Sequence, residues 1–143
     1  MSALRISTDP SELNVSMIHR FLSTESYWAS GISRTVLQRA LANSLCFGGY
    51  LGRTQVAFAR VVTDRATFAH LKDVFVLPEF RGRGFGTELM QAVMAHSDLL
   101  AVAFTLATND AHTLYEKFGF GRSPHPERSM VRLGTFLNGG ERQ

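Results

Sequence analysis

A strand, a glycine-rich loop and a helix follow one another closely near the middle of this chain. Residues Val74–Val76 favour a strand, and Pro78 ends it because proline cannot donate a hydrogen bond to a sheet. Three glycines then occur within five positions: Gly82, Gly84 and Gly86. From Leu89 onward the apolar residues recur at helical spacing. The chain therefore passes from a strand through a conformationally permissive loop into the first turn of a helix.

This loop has the features of an anion-binding site. Glycines let the backbone approach a ligand closely, and the free amides and positive dipole end of a helix favour a bound anion. A diphosphate suits this geometry. Arg81 and Arg83 add positive charge, and Thr87 can supply a hydroxyl or cap the helix. Taken alone, the loop is equally consistent with a surface turn before a capped helix.

Two other phosphate-binding motifs do not fit the spacing. A P-loop needs Lys and then Ser or Thr after its last glycine, but Gly86 is followed by Thr87 and Glu88. A dinucleotide-binding fold needs its third glycine one position later and opens with a parallel sheet unit. The chain before the loop predicts an antiparallel meander instead. Three segments are rich in strand formers and are separated by turns: residues 45–51, 55–63 and 67–76.

The remaining segments predict helices around this sheet. A first helix is expected to begin with Asp9 as its N-cap and to bury Ile18, Phe21 and Leu22, and Ser33 is expected to cap a second helix. Two helices would therefore precede the sheet. Four elements are predicted after the loop helix: a strand at 101–106, a short helix at 110–118, a strand at 130–133 and a frayed tail at 138–143.

Composition restricts the classes of function. The 15 basic and 12 acidic residues leave a net charge of +3 without a dense basic run, so nucleic acid is not an expected partner. Cys46 is the only cysteine and lies in an apolar run, which favours a reducing cytoplasm and a core position. No apolar stretch approaches the ~20 residues of a membrane span, and no histidine has a metal-ligand spacing. We expect one cytoplasmic domain over residues 1–143, with a core at about 4–133, that binds neither membrane nor metal.

The loop and its surroundings resemble the GNAT superfamily of N-acetyltransferases. The family's loop pattern, Gln or Arg, two residues, Gly, one residue, then Gly or Ala, is matched by Arg81, Gly84 and Gly86. The resemblance implies an α+β fold whose mixed, mostly antiparallel central sheet is flanked by helices and splayed between strands 4 and 5. It also implies acetyl-CoA as cosubstrate, with a pantetheine arm paired to the backbone of Phe75 and Val76. The residues it assigns to the diphosphate are Arg81, Gly82, Arg83, Gly84, Phe85, Gly86 and Thr87.

A second motif of the same family is matched near the end of the chain. Residues 108–120 resemble a helix that ends in Tyr, two residues, an aromatic or Leu, Gly and Phe. The resemblance makes Tyr115 a residue that contacts the coenzyme and the general acid that protonates the departing thiolate, which a phenol with a pKa of ~10 can do. Many family members carry Asn where this chain has Thr108. Either Thr108 or the adjacent Asn109 is therefore expected to bind the pantetheine.

An amine attacks a thioester only in its neutral form, so a proton acceptor is required. His70 lies where the resemblance places the catalytic glutamate of histone-modifying members, and histidine titrates in the useful range. Asp73 on the same strand is a second candidate, and a water chain is a third. Alternation along a strand predicts that His70 and Asp73 face opposite sides of the sheet, so at most one of them serves.

Tyr27 and Trp28 lie in the connection between the two N-terminal helices, which in resembling proteins covers the acceptor side of the cleft. Their aromatic faces are expected to line the pocket of a small-molecule or peptide amine and not to touch coenzyme A. Packing of Trp28 onto the core is the alternative. The favoured function is an N-acetyltransferase, a non-catalytic acyl-CoA-binding module is the alternative, and the resemblance allows a homodimer.

Overall fold

The computed structural model of the protein describes residues 4–137, and the predicted frayed tail at 138–143 lies outside this range. Five strands form one sheet: β1 (Arg5–Ser7), β2 (Leu45–Leu51), β3 (Thr54–Thr63), β4 (Phe68–Val76) and β5 (Ala103–Leu106). The α-helices of the described range are α1 (Val15–Thr24), α2 (Arg34–Ala42), α3 (Phe85–Ala95) and α4 (His112–Glu116). Short 3-10 turns lie at Pro10–Glu12, Pro78–Phe80, Ser97–Leu99 and Pro126–Arg128.

The sheet follows the order of the sequence, β1-β2-β3-β4-β5. The pairs β1–β2, β2–β3 and β3–β4 are antiparallel, and β5 runs parallel to β4. Pairing between these last two strands ends at Leu71 and Leu106, although β4 continues to Val76. The predicted α+β fold, with a mixed sheet that splays between strands 4 and 5, is therefore confirmed.

Helices cover both faces of the sheet. On one face α3 buries Leu89 and Val93, and on the other α1 and α2 bury residues such as Ile18. Each such side chain contributes roughly 1.5–3 kcal/mol when it leaves water. Tyr115 belongs to the α3 layer, whereas Trp28 packs against the layer of α1 and α2. Each layer therefore holds one of these two predicted site residues.

A bulge at Asp73 interrupts the regular alternation of β4. Three steps along β4, from Lys72 to Phe75, oppose two steps along β3, from Arg60 to Phe58. Asp73 has a left-handed backbone with a φ of 57°, which the short polar side chains of Asp and Asn tolerate better than most. Before the bulge, odd-numbered residues of β4 pack under α3, but after it the odd-numbered Phe75 packs with α1 and α2. The extra residue therefore exchanges the faces of the strand.

Three local predictions were wrong. The helix expected from Asp9 is divided, because Leu13 is extended and Asn14 caps α1, so that only the turn Pro10–Glu12 follows the Asp9 cap. The short β1 precedes α1 and α2, although both helices were expected before the sheet. Residues 130–133 form no strand, and Met130 is 94% exposed. An apolar pattern alone does not make a strand when no neighbour pairs with it.

The expectations from composition can be compared with the described residues. Cys46 lies in the core, and burial raises the pKa of its thiol to about 11, so that the thiol stays protonated at neutral pH. No helix within residues 4–137 combines the length and the apolar character that crossing a bilayer requires. In the same range, no three His, Cys, Asp or Glu side chains are grouped as metal ligands.

Candidate active site

Two adjacent hollows lie beside the part of β4 that has no strand partner on its β5 side. The first, called here the inner cavity, has a volume of about 420 Å³ and is lined by β4 and by the chain that follows β5. The second, called here the loop groove, has a volume of about 540 Å³ and extends from the end of β4 to the glycine loop. Six residues line both hollows and are called here the junction: Tyr27, Trp28, Val74, Asp110, Ala111 and Tyr115.

The glycine loop brings the start of α3 to the loop groove. Gly82 and Gly84 have φ values of 78° and 81°, which glycine adopts without steric strain. Gly84 is the N-cap of α3 and offers no side chain to the first amides of the helix. A Cβ atom at Gly86 would meet only the side chain of Leu114, at 3.8 Å, so the space beside the first turn is open. The amides of this turn can therefore bind an anion.

The polar side chains of the loop are held in different ways. Arg81 lines the loop groove, and its Nε donates to the carbonyl oxygen of Val76 at 2.9 Å. The guanidinium of Arg83 lies over the ring of Phe80, 5.4 Å from its centre. Arg83 and Thr87 do not line the groove. Of the three polar side chains predicted to bind a diphosphate, Arg81 is therefore the one that the fold directs to the groove.

The open edge of β4 presents the backbone of Val74 and Val76. The N–H of Leu77 donates to the carbonyl oxygen of Val56 on β3 at 2.9 Å, so the backbone groups of Val76, one residue earlier, face away from β3. By the same alternation the backbone groups of Phe75 face β3, with which it pairs. The prediction that the backbone of Phe75 is exposed at the splay is therefore corrected, and Val74 takes its place at the edge.

Tyr115 lies at the junction, where the two hollows meet. Its side chain is buried, and burial raises the pKa of the phenol to about 12, with further contributions from the charges of Asp110 and Tyr27. The ring packs edge to face against Phe120, with 6.2 Å between the centres. A phenol with this pKa is protonated at neutral pH.

His70 lines the inner cavity and is tied to β5. Its Nδ1 lies 2.7 Å from Oγ1 of Thr105, the residue opposite it in the parallel register. Burial lowers the pKa of the imidazole, and the charges of Lys72 and Arg60 lower it further. The ring is therefore neutral at pH 7 and able to accept a proton.

Asp73 lines the same cavity as His70, so the prediction that the two face opposite sides of the sheet was wrong. The bulge is the physical reason. Oδ1 of Asp73 accepts a hydrogen bond from Nε1 of Trp28 at 2.8 Å, and Oδ2 accepts one from Nε of Arg60 at 2.7 Å. The side chain of Asp73 is only 6% exposed. Both carboxylate oxygens are thus engaged in fixing neighbouring side chains.

Tyr27 and Trp28 form an aromatic wall of the junction. Their rings meet edge to face with 5.0 Å between the centres, and the hydroxyl of Tyr27 accepts a hydrogen bond from the backbone N–H of Asn109 at 3.2 Å. Both residues border the loop groove as well as the inner cavity, so they are not confined to one side as predicted. Trp28 is half-buried against the layer of α1 and α2, and therefore serves both packing and the cavity wall.

Thr108 and Asn109 line the inner cavity and not the loop groove. Oγ1 of Thr108 accepts hydrogen bonds from the backbone N–H groups of Asp110 and Ala111, at 3.3 and 3.1 Å. This turn leads into α4, whose N-cap is Ala111. The hydroxyl of Thr108 therefore has a structural role at the start of α4. Asn109 borders the inner cavity.

Sequence reasoning missed several charged residues of the site, among them Arg60, Lys72 and Asp110. Lys72 carried a signal, because it lies between the two candidate bases on the same strand. Asp110 carried a weaker one as a residue before the predicted helix of Tyr115. Arg60 carried none, since only the register between β3 and β4 brings it to Asp73.

Comparison with known proteins gives consistent results. The profile of a family described as "Acetyltransferase (GNAT) domain" matches residues 42–122. A protein of Gibberella zeae, whose name proposes an acetyltransferase, is 35% identical over 105 residues, which is 60% of this chain and 59% of that protein. The matched part thus spans less than two thirds of this curated relative.

Solved structures share the fold. A crystal structure from Xanthomonas campestris pv. campestris, of a protein assigned to the GNAT family, is 51% identical and covers 97% of this chain and 99% of its own, with a TM-score of 0.93. A structure of a predicted acetyltransferase with acetyl-CoA from Clostridium acetobutylicum covers 92% of this chain and 96% of its own. Its TM-score is 0.63 at 17% identity, which shows similarity of fold alone.

Proposed function

The chain belongs to the GNAT family of acetyltransferases, and we propose that it transfers an acetyl group from acetyl-CoA to the primary amine of a small-molecule or peptide acceptor. One observation carries this proposal, the arrangement at the junction. The protonated phenol of Tyr115 borders both a groove that adjoins the open backbone edge of β4 and a cavity lined by the neutral imidazole of His70. Acetyl transfer to an amine needs a proton donor and a proton acceptor on the two sides of the reacting carbon.

The loop groove suits the chemistry of coenzyme A. The amides of Arg81–Gly86 and the uncapped start of α3 offer donors and a positive dipole end to a diphosphate. Val74 and Val76 offer backbone donors and acceptors to an amide-containing arm, in the way that an added strand would use them. The carbonyl of Val76 already accepts a hydrogen bond from Arg81, which has to release it when such an arm binds.

The chain's own residues supply the proton transfers. When bound, acetyl-CoA supplies the activated acetyl thioester. His70 accepts the proton that the acceptor ammonium must lose, and the neutral amine then attacks directly. Tyr115 holds a proton for the sulfur that leaves as the new C–N bond forms and the C–S bond breaks. No covalent enzyme intermediate is required, and the buried, protonated thiol of Cys46 is not suited to form one.

We assign Asp73 a positioning role and not that of the base. Its two carboxylate oxygens are engaged by Trp28 and Arg60, whereas a base must offer a free lone pair to the substrate proton. Through the bond from Nε1, Asp73 fixes the indole of Trp28 at the junction, and through the other it holds Arg60. Tyr27 and Trp28 are then the side chains that border the acceptor's amine.

Release of free thiol from acetyl-CoA, measured over a panel of primary amines, tests this function. We expect turnover with at least one class of amine and saturable binding of acetyl-CoA in calorimetry. Tight binding of acetyl-CoA with no thiol release from any amine would instead indicate a non-catalytic binding module. Absence of binding would contradict the assignment of the loop groove.

A further inference from the structure

Thr105 is the residue of β5 that lies opposite His70 in the parallel register. The sequence neighbours of both residues pack in the α3 layer, so alternation directs the side chains of His70 and Thr105 to the opposite face of the sheet. Pairing between the two strands ends one residue later, at Leu71 and Leu106. His70 and Thr105 are therefore the last register pair on the cavity face before the strands separate.

The two ring nitrogens of His70 have different surroundings. Nδ1 lies 2.7 Å from Oγ1 of Thr105, a residue that does not line the inner cavity. The ring itself lines the cavity, and within residues 4–137 Nδ1 is the ring nitrogen that has a protein partner. A neutral imidazole has one N–H and one lone pair, so the hydrogen bond made by one nitrogen decides whether the other can accept a proton.

Building on the proposed function, in which His70 is the base, we propose that Thr105 is a positioning residue for the proton transfer. Its hydroxyl accepts a hydrogen bond from Nδ1–H of His70 and leaves the lone pair of Nε2 for the acceptor ammonium. The opposite direction, with the hydroxyl as donor to Nδ1, would put the ring proton on Nε2 and remove the lone pair that a base needs. Thr105 thus acts through His70, by selecting its tautomer and fixing the orientation of its ring.

The charges around His70 do not come from β5, whose four residues carry no ionisable side chain. Replacement of Thr105 by Val therefore leaves every one of those charges in place. A change in the titration of His70 in this variant would report the hydrogen bond at Nδ1. The titratable side chains that share the cavity wall with the imidazole or act on it belong to β3, β4, the α1–α2 connection and the chain from residue 110 into α4: Arg60, Lys72, Asp73, Tyr27, Asp110 and Tyr115.

The first test compares Thr105→Val, which has no hydroxyl, with Thr105→Ser, which keeps one. In Thr105→Val we expect the plateau of kcat/KM to fall about threefold or more, the factor of a modest net hydrogen bond. The midpoint of the acid limb should also move roughly half a pH unit lower. A hydrogen bond from Nδ1–H is stronger in the charged ring than in the neutral one, so its loss lowers the pKa of His70. Thr105→Ser should keep both parental values.

Stability and a matched control separate this role from packing. Thr105 is exposed and valine is favourable in a strand, so Thr105→Val should keep the Tm of the parent. Thr54 is an exposed threonine of β3 that lines neither hollow, so Thr54→Val is the control and should keep the parental rate and pH profile. An unchanged midpoint in Thr105→Val would overturn the proposal, whether or not the plateau falls.

The second test determines the tautomer without turnover. Nitrogen NMR of isotope-labelled histidine distinguishes a protonated from a bare ring nitrogen, and comparison with His70→Gln assigns His70 among the five histidines of the chain. When the ring is neutral, Nδ1 should carry the proton in the parent and in Thr105→Ser, and the proton should shift toward Nε2 in Thr105→Val. A proton on Nε2 in the parent would make the proposal wrong. If the parent has the expected tautomer but acetylates no amine, the hydrogen bond to Thr105 stands and the proposed acetyl transfer fails.

Discussion

Replacement of Asp73 by Asn separates a structural carboxylate from a catalytic base. Asp73 and Arg60 form an ion pair whose side chains are 6% and 12% exposed, with 2.7 Å between Oδ2 and Nε. Removing one partner of a buried pair leaves the other charge without compensation, at a cost of about 3–5 kcal/mol. Asn tolerates the left-handed backbone at this position, and its amide oxygen can still accept from Trp28. We therefore expect a loss at the lower end, about 3 kcal/mol.

Thermal and urea unfolding, followed through the fluorescence of Trp28, measure this loss. A change of about 3 kcal/mol should lower the Tm of a chain of this size by roughly 10 °C. Combining Asp73→Asn with Arg60→Met removes both charges, and should recover a large part of the stability because no charge is left buried without a partner. The acid limb of kcat/KM should keep its midpoint in Asp73→Asn, since His70 is the proposed base. An unchanged Tm together with loss of this limb would refute the structural role and make Asp73 the base.

Four further outcomes are expected. Tyr115→Phe should lower kcat about 100-fold or more with little change in the KM for acetyl-CoA, because only the proton donor is lost; an unchanged kcat would leave this residue a packing role. Because the folded pKa of His70 is lowered, kcat/KM should rise through a midpoint below 6.5 and be flat above it, and His70→Gln should abolish that limb; a retained profile would give the role to a water chain. Gly86→Glu should block binding of coenzyme A in calorimetry, whereas Gly86→Ala should not, since a Cβ has room there; equal affinities would contradict the groove. Trp28→Phe, which loses the N–H that donates to Asp73, should raise the acceptor KM by a larger factor than the Kd for acetyl-CoA; a lower Tm with an unchanged acceptor KM would leave the indole a packing role only.

The glycine loop and Tyr115 could be predicted because their signals are local. The positive φ values of Gly82 and Gly84 are available to few other residues, and helical spacing after the loop fixes where α3 begins. The Asp9 cap was also correct as a local signal, since the N–H of Ser11 donates to its side chain. The Asp9 cap begins only the turn Pro10–Glu12, because Leu13 is extended and ends it.

That His70 and Asp73 lie on the same side of the sheet could not be predicted, because it depends on the partner strand. Strict alternation assigns His70 and Asp73 to opposite faces, and nothing in the side chains of β4 marks the bulge between them. The bulge is specified by pairing with β3, which places Arg60 beside Asp73. The missing strand at 130–133 has a related cause, since its apolar residues match a strand pattern but find no neighbour in the described fold.

The bulge in β4 shifts the alternation of side chains along the strand by one residue. Because of this shift, His70 and Lys72 before the bulge line the cavity, and Phe75 after the bulge packs on the same side of the sheet. If β4 kept all nine residues without the bulge, strict alternation would turn one half of the strand inside out and would bury either the polar residues under α3 or Val74 and Val76 under α1. Transplanting this site to another sheet therefore requires the irregularity as well as the side chains.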